Sequence, residues 1–195
     1  MDVKKINVVG VSGSGKSFFS KELAEKLDAS YLEMDAIFWK PNWEESKDDE
    51  FFANLSAAIS IDSWVLDGNY NRTRSVKWKD VDTVVWIDYS FPRTVFQAIK
   101  RALTRVMSRK EIWAGTGNKE SLKKLFSKHS IVLWTLKNYY KVRRRYEADL
   151  ASSEYAHIRF VRIQNHRQAR EFLASVDVSQ SGSTVSKPDF ESKQI

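Results

Sequence analysis

Gly10-Val11-Ser12-Gly13-Ser14-Gly15-Lys16-Ser17 spells G-x-x-x-x-G-K-[ST], the sequence form of a loop whose backbone wraps around phosphate groups. An apolar run, Ile6-Asn7-Val8-Val9, leads into it, and Phe19, Leu23 and Leu27 follow at four-residue spacing. The order is therefore strand, loop, helix. Backbone N–H groups must turn inward around a phosphate, and side chains at the glycine positions would obstruct that approach. The helix beginning near Gly15 adds its positive dipole end. Gly10, Ser12, Gly13, Ser14, Gly15, Lys16, Ser17 and Phe18 are the expected binding positions for a nucleoside triphosphate. Lys16 is expected to reach the β- and γ-phosphates and the Ser17 hydroxyl to ligate Mg²⁺. The alternative is a Gly/Ser-rich turn that matches by accident, which the strand and helix on its two sides make rarer.

The chain has 195 residues, 42% of them apolar and 29% charged, which suits one domain with a sizeable core. There is no cysteine, so disulfides and thiolate-held zinc are excluded. Met1 to Lys5 run directly into the first expected strand and no apolar run approaches a membrane-spanning length. A cytoplasmic protein is expected. The net charge of +7 is uneven: residues 101–150 carry 13 basic and 4 acidic side chains, whereas residues 1–50 carry 7 basic and 11 acidic. The basic block reads as solvated helix faces, as a cationic cover over polyphosphate, or as a nucleic-acid patch.

Apolar runs predict strands at about 3–9, 30–34, 63–67, 82–88 and 157–163. Helical patterns fall near 15–28, 44–60, 91–109, 119–127, 129–150 and 166–176. This alternation argues for an α/β fold around a mostly parallel sheet. Residues 1–178 read as the domain and the polar stretch 179–195 as a disordered tail. Gly115-Thr116-Gly117-Asn118 reads as a mobile loop within a lid region at about 101–128.

Ligands of such sheets sit beyond the carboxyl ends of the strands. Glu33-Met34-Asp35, Asp67-Gly68-Asn69 and Asp88 end three successive strands there. Asp67 after Trp64-Val65-Leu66 fits the acidic strand end that supports Mg²⁺, and Asp88 competes for that role. Asp35 is the candidate to accept a proton from, or orient, a phosphate acceptor. Glu33 lies two residues earlier, so on an extended strand the two would share a side. Trp39 and Trp43 could wall an acceptor pocket or belong to the core. Arg72 offers a fork for an acceptor phosphate or carboxylate. Arg101, Arg105 and Arg109 recur every four residues and could neutralise a phosphoryl group in transit.

Gly10–Ser17, Asp35–Trp43, Trp64–Tyr70 and Thr83–Asp88 together resemble the adenylate-kinase-related P-loop proteins of the DNA topology modulation (FlaR-like) family. The resemblance covers about residues 3–175. It implies the nucleoside-monophosphate-kinase fold, a P-loop NTPase sandwich around a five-stranded parallel sheet of order 2-3-1-4-5. It also implies an acceptor-binding insert after strand two and a lid after strand four. Asp67 then takes the place of the Asp in the adenylate kinase Asp-Gly-Phe-Pro-Arg motif, with Arg72 near its arginine. Glu33-x-Asp35 is similar to the Asp-x-Asp of shikimate-kinase-like enzymes, and Gln164-Asn165-His166 falls where the adenine ring passes.

The leading expectation is an ATP-dependent kinase of a small molecule, with ATP and Mg²⁺ as cofactors and catalytic residues Lys16, Asp35, Asp67, Arg72, Arg105 and Arg109. A regulatory or nucleic-acid-associated NTPase acting through the basic segment is the rival. An ATP-binding protein with little catalysis is the third reading. The chain is expected to be a monomer or homodimer.

Overall fold

The computed structural model describes residues 4–108, 110–113, 115–120 and 130–176. Arg109, most of the helix expected at 119–127 and the tail expected at 179–195 lie outside the described residues. Lys119 itself forms an antiparallel bridge with Glu111 instead of opening a helix.

Isoleucine and valine dominate β1 (Lys5–Val9) and β4 (Thr83–Ile87), and their side chains are buried on both faces. Such continuous burial belongs to the centre of a parallel sheet covered by helices on both sides. β3 (Trp64–Asp67) is equally buried, while β2 (Ser30–Glu33) and β5 (Arg159–Ile163) are more open. All five strands run parallel in the order β2-β3-β1-β4-β5. The fold is a three-layer α/β sandwich around a five-stranded parallel sheet, with the strand order that the resemblance implied.

Helices α1 (Lys16–Leu27) and α7 (His166–Ser175) cover one face, where Phe19, Leu23 and Leu173 meet Ile6, Val8 and Val85. The other face is packed by α2 (Met34–Phe38), α3 (Asp48–Ala58), α4 (Arg74–Lys77) and α6 (Ile131–Ala151). α5 (Phe91–Ser108) lies against α6 and closes over the loop after β1. Among the described residues no helix is long and apolar enough to cross a membrane.

Two expected elements differ. The helix expected at 44–60 starts only at Asp48, after a 3₁₀ turn at Pro41–Trp43. Strand β2 stops at Glu33, and Met34 opens the short helix α2, so Glu33 and Asp35 do not share the side of one strand. The cause is Gly68, against which Met34 packs so closely that a Cβ there would lie 2.6 Å from Met34 Cβ. The bare backbone of Gly68 lets α2 settle on the end of β3.

A polar network lies beneath this strand end. Asn7, fully buried in β1, donates to the carbonyls of Leu66 at 2.8 Å and Gly68 at 3.3 Å, and accepts from Trp78 Nε1 at 2.9 Å. Buried amides are tolerated only when paired in this way. Lys77 is also buried, its ammonium reaching the Gly68 carbonyl at 3.5 Å. Burial, helped by the neighbouring Arg74, pulls its pKa down to about 7.

An unfolded lysine titrates near 10.4, so the unfolded chain binds more protons between pH 7 and pH 10 and stability rises with pH there. Lys77→Met is expected to stabilise the protein at pH 6–7. That advantage should shrink by about 1 kcal/mol per pH unit up to pH 10. Urea denaturation of both proteins across this range checks it; a constant gap would contradict the burial argument.

Candidate phosphate-loop site

The loop between β1 and α1 is held by its neighbours on every side. A Cβ on Gly13, whose φ is +86°, would sit 2.7 Å from Ala98 Cβ and 2.8 Å from the Thr94 carbonyl of α5. Only glycine combines that dihedral with that approach. From β3, Asn69 accepts the N–H of Gly10 at 2.9 Å and donates back to the Gly10 carbonyl. Tyr146 of α6 donates its hydroxyl to the same amide oxygen at 3.1 Å. Arg101 of α5 donates to Ser12 Oγ at 2.7 Å, and Thr135 of α6 donates to the Ser12 carbonyl at 3.1 Å.

Lys16 opens α1 and its ammonium lies 3.9 Å from Asp67 Oδ1, which is buried and has no hydrogen-bond partner. The Tyr31 hydroxyl lies 3.2 Å from Asp67 Oδ2 and 3.4 Å from Glu33 Oε2, so it bridges two carboxylates. Burial and both carboxylates push the Tyr31 phenol well above its ordinary pKa. Burial raises Glu33 as well, with Asp67 and Asp35 adding to it, against the hydrogen bond from Trp113. In α2, Asp35 accepts from Tyr70 at 2.8 Å.

The arginines of α5 divide. Arg101 points inward: burial lowers its pKa, Arg105 adds repulsion, and Asp35 and Asp67 pull the other way. Arg105 therefore lies beside Arg101 as its spacing predicted, whereas Arg109 lies outside the described residues. Arg93, Gln97 and Arg101 form one stripe of α5, and each carries a buried polar atom with no hydrogen-bond partner. So does Ser14. Native interiors rarely leave such atoms unpaired, and four around one loop mark a place built for a polar ligand.

Other expected positions have different partners. Arg72 bonds Asp48 at 2.9 Å and covers the rings of Phe38, Phe51 and Tyr70. Asp88 accepts from Arg162 at 2.6 Å, with Arg143 at 3.6 Å. Ser17 is half-buried at the start of α1, and Phe18 is 77% exposed. His166 stands 5.1 Å from the Tyr89 ring, over which Arg93 lies.

Gly115–Asn118, expected as a mobile loop, is instead the turn of a docked hairpin. Asn118 is buried, donates to the Lys40 carbonyl at 2.8 Å and accepts from the Trp43 N–H at 2.9 Å. Beside it, Trp113 donates to Glu33 at 3.0 Å and packs with Trp39 and Trp43. The two tryptophans of the insert are thus half-buried against a third. Asn69 and Trp113 were not singled out in the sequence. For Asn69 the signal was its place directly after the Asp-Gly that ends β3.

No protein-family model matches the chain, and no curated protein matches it in sequence. Among solved structures it is similar to shikimate kinase from Acinetobacter baumannii in complex with shikimate, at 18% identity and a TM-score of 0.52, over 88% of this chain and 89% of that one. A sugar kinase from Janibacter sp. HTCC2649 aligns at 14% identity and a TM-score of 0.47, over 91% and 96% of the two chains. A gluconokinase from Sinorhizobium meliloti 1021 aligns at 17% identity and a TM-score of 0.47, over 88% and 91%. The first of these supports the fold directly.

The Asn69 clamp has a measurable consequence. Asn69→Ala leaves both polar groups of Gly10 and the Tyr146 hydroxyl without this partner, and is expected to cost about 2 kcal/mol. Tyr146→Phe, which removes one of those bonds, is expected to cost about 1 kcal/mol. Chemical denaturation of the two variants tests the ranking.

Proposed function

We propose that this protein is an ATP-dependent phosphotransferase that moves a phosphoryl group onto a hydroxyl of a small molecule. The observation that carries the reading is the convergence of Lys16, Arg101, Asp67 and Asp35 at the carboxyl end of the sheet. Phosphoryl transfer needs little covalent chemistry from a protein; it needs positioning and charge compensation.

The residues present fit Mg·ATP. The unpartnered Ser14, Gln97 and Arg101 atoms supply donors and acceptors that nothing among the described residues satisfies. Residues Gly10–Phe18 would hold the phosphates, and Ser17 with Asp67 would support Mg²⁺. Asp67 is better placed for this than Asp88, whose carboxylate is already held by two guanidinium groups. Bound Mg·ATP supplies the activated phosphoryl group and a divalent charge on its oxygens. Lys16 compensates charge from the loop side, and Arg101 with Arg105 does so from α5. Asp35, oriented by Tyr70, accepts or aligns the acceptor proton. Arg109 would extend the same cationic stripe. Arg72, tied to Asp48, supports the acceptor wall rather than the phosphate.

The motifs shared with the adenylate-kinase-related DNA topology modulation proteins support the same chemistry. Part of the basic excess at 101–150 is used internally, by Arg101 at Ser12 and Arg143 at Asp88, which favours a phosphate cover over a nucleic-acid patch. The reading takes residues 1–178 as one catalytic domain, a lid at 101–128 and a cytoplasmic location.

Lys16→Ala is expected to lower acceptor-stimulated ADP release by about 10³-fold with the melting temperature little changed. Asp35→Asn is expected to lower kcat by about 10²-fold while ATP binding is retained. A coupled ADP assay with nucleosides, nucleotides, sugars and hydroxy acids reads both; full activity in Lys16→Ala would overturn the proposal.

A further inference from the structure

Resting on that kinase reading, the side of the site opposite the phosphate loop bears on the acceptor itself. Glu33, Asp35 and Asp67 lie close enough to act on one another electrostatically. Asp67 Oδ1 is buried and lacks a hydrogen-bond partner. Glu33 is held by Trp113 on one oxygen and faces the Tyr31 hydroxyl with the other, Asp35 is held by Tyr70 on one oxygen, and carboxylate oxygens keep further lone pairs for a donor.

Several described cations nearby are engaged elsewhere, while Arg105 stands beside Arg101 on α5. Arg72 is bound to Asp48 and laid over three aromatic rings. Lys40 is bound to Glu50 at 2.5 Å. Lys21 lies over the Tyr31 ring and offsets Glu33 from outside. Arg101 is turned onto Ser12 of the phosphate loop. Trp113, which bonds Glu33, lies nearly parallel to Trp39, with Trp43 edge-on to both.

An acid or phosphate ester as acceptor would bring its charge against these carboxylates and would compete with the polyphosphate for Arg101 and Arg105 of α5. Hydroxyl and ammonium groups are donors that match those carboxylates, and indole faces suit the C–H surface of a ring or a cation. We propose that the acceptor is a neutral or cationic polyhydroxyl compound, a sugar or amino sugar, and that Glu33 and Asp35 select it against anionic analogues. In the reaction the acceptor oxygen forms the new bond to the terminal phosphorus of ATP. The bond to the bridging oxygen breaks, ADP leaves with that electron pair, and the hydroxyl proton passes to Asp35.

The test is ADP release by the full chain with D-glucose, D-glucosamine and myo-inositol, set against D-gluconate and glucose 6-phosphate. Neutral and amine compounds are expected to exceed their anionic counterparts by at least about 100-fold in kcat/KM. Glu33→Gln is expected to narrow that ratio while its circular dichroism and ATP affinity match the parent. If Glu33→Gln does not fold, glucosamine against gluconate binding to the parent by calorimetry decides the same question. Equal or better use of gluconate or glucose 6-phosphate would overturn the selectivity and leave the kinase reading standing. No acceptor-stimulated release above the Lys16→Ala background would overturn both.

Discussion

Both polar backbone groups of Gly10 are held by one side chain, the amide of Asn69. The phosphate loop leaves the sheet at Gly10, so its direction depends on how that residue is turned. An amide that accepts from N–H and donates to C=O of one residue allows a single orientation, because the donor and acceptor of a carboxamide are not interchangeable. Asn69 is in turn fixed by Tyr146 and by its place after Gly68 at the end of β3. The loop is thus located by β1, the end of β3, α5 and α6 together with its own glycines.

The same strand end organises the acceptor side. Gly68 lets Met34 approach, α2 settles there, and Asp35 is carried to within reach of Tyr70, two residues beyond Gly68. Asp67, Gly68, Asn69 and Tyr70 therefore face the donor lysine, the neighbouring helix, the loop backbone and the acceptor carboxylate in succession. Asn7 and Lys77 hold the Gly68 carbonyl from beneath. A buried polar network of this kind is costly if left half-satisfied and rigid when complete, which suits a segment with four positioning duties.

The fold was legible because period and punctuation agree along the chain. The buried runs Ile6–Val9, Val65–Leu66 and Val84–Ile87 became central strands, and the glycine-rich loop stands where they open. What stayed illegible depends on contacts distant in sequence. Nothing local to Glu33-Met34-Asp35 signals a helix start; the cause is a glycine 33–35 positions away. Arg72 reads as a phosphate fork until Asp48 and three rings are placed around it. Asp67 and Asp88 both end apolar strands, and only the arrival of Arg162 and Arg143 separates them. Gly115–Asn118 carries flexible-loop composition, yet the buried Asn118 anchors it to Lys40 and Trp43.

Charge divides the site into two halves. On the loop side Lys16 faces Asp67 and Arg101 bonds Ser12, with Arg105 beside Arg101, around a loop whose N–H groups favour anions. On the acceptor side carboxylates dominate, and the hairpin at 111–119 closes on them through the indole N–H of Trp113. Asp67 stands on the boundary, facing Lys16 with one oxygen and Tyr31 with the other. In the proposed reaction such a gradient would keep a polyphosphate and a hydroxyl donor in different halves. Moving negative charge toward the carboxylates in that reaction would need compensation at the point of transfer from the cations of α5. Arg101 is suited to this, because its guanidinium already feels Asp35 and Asp67 while bonding the loop at Ser12.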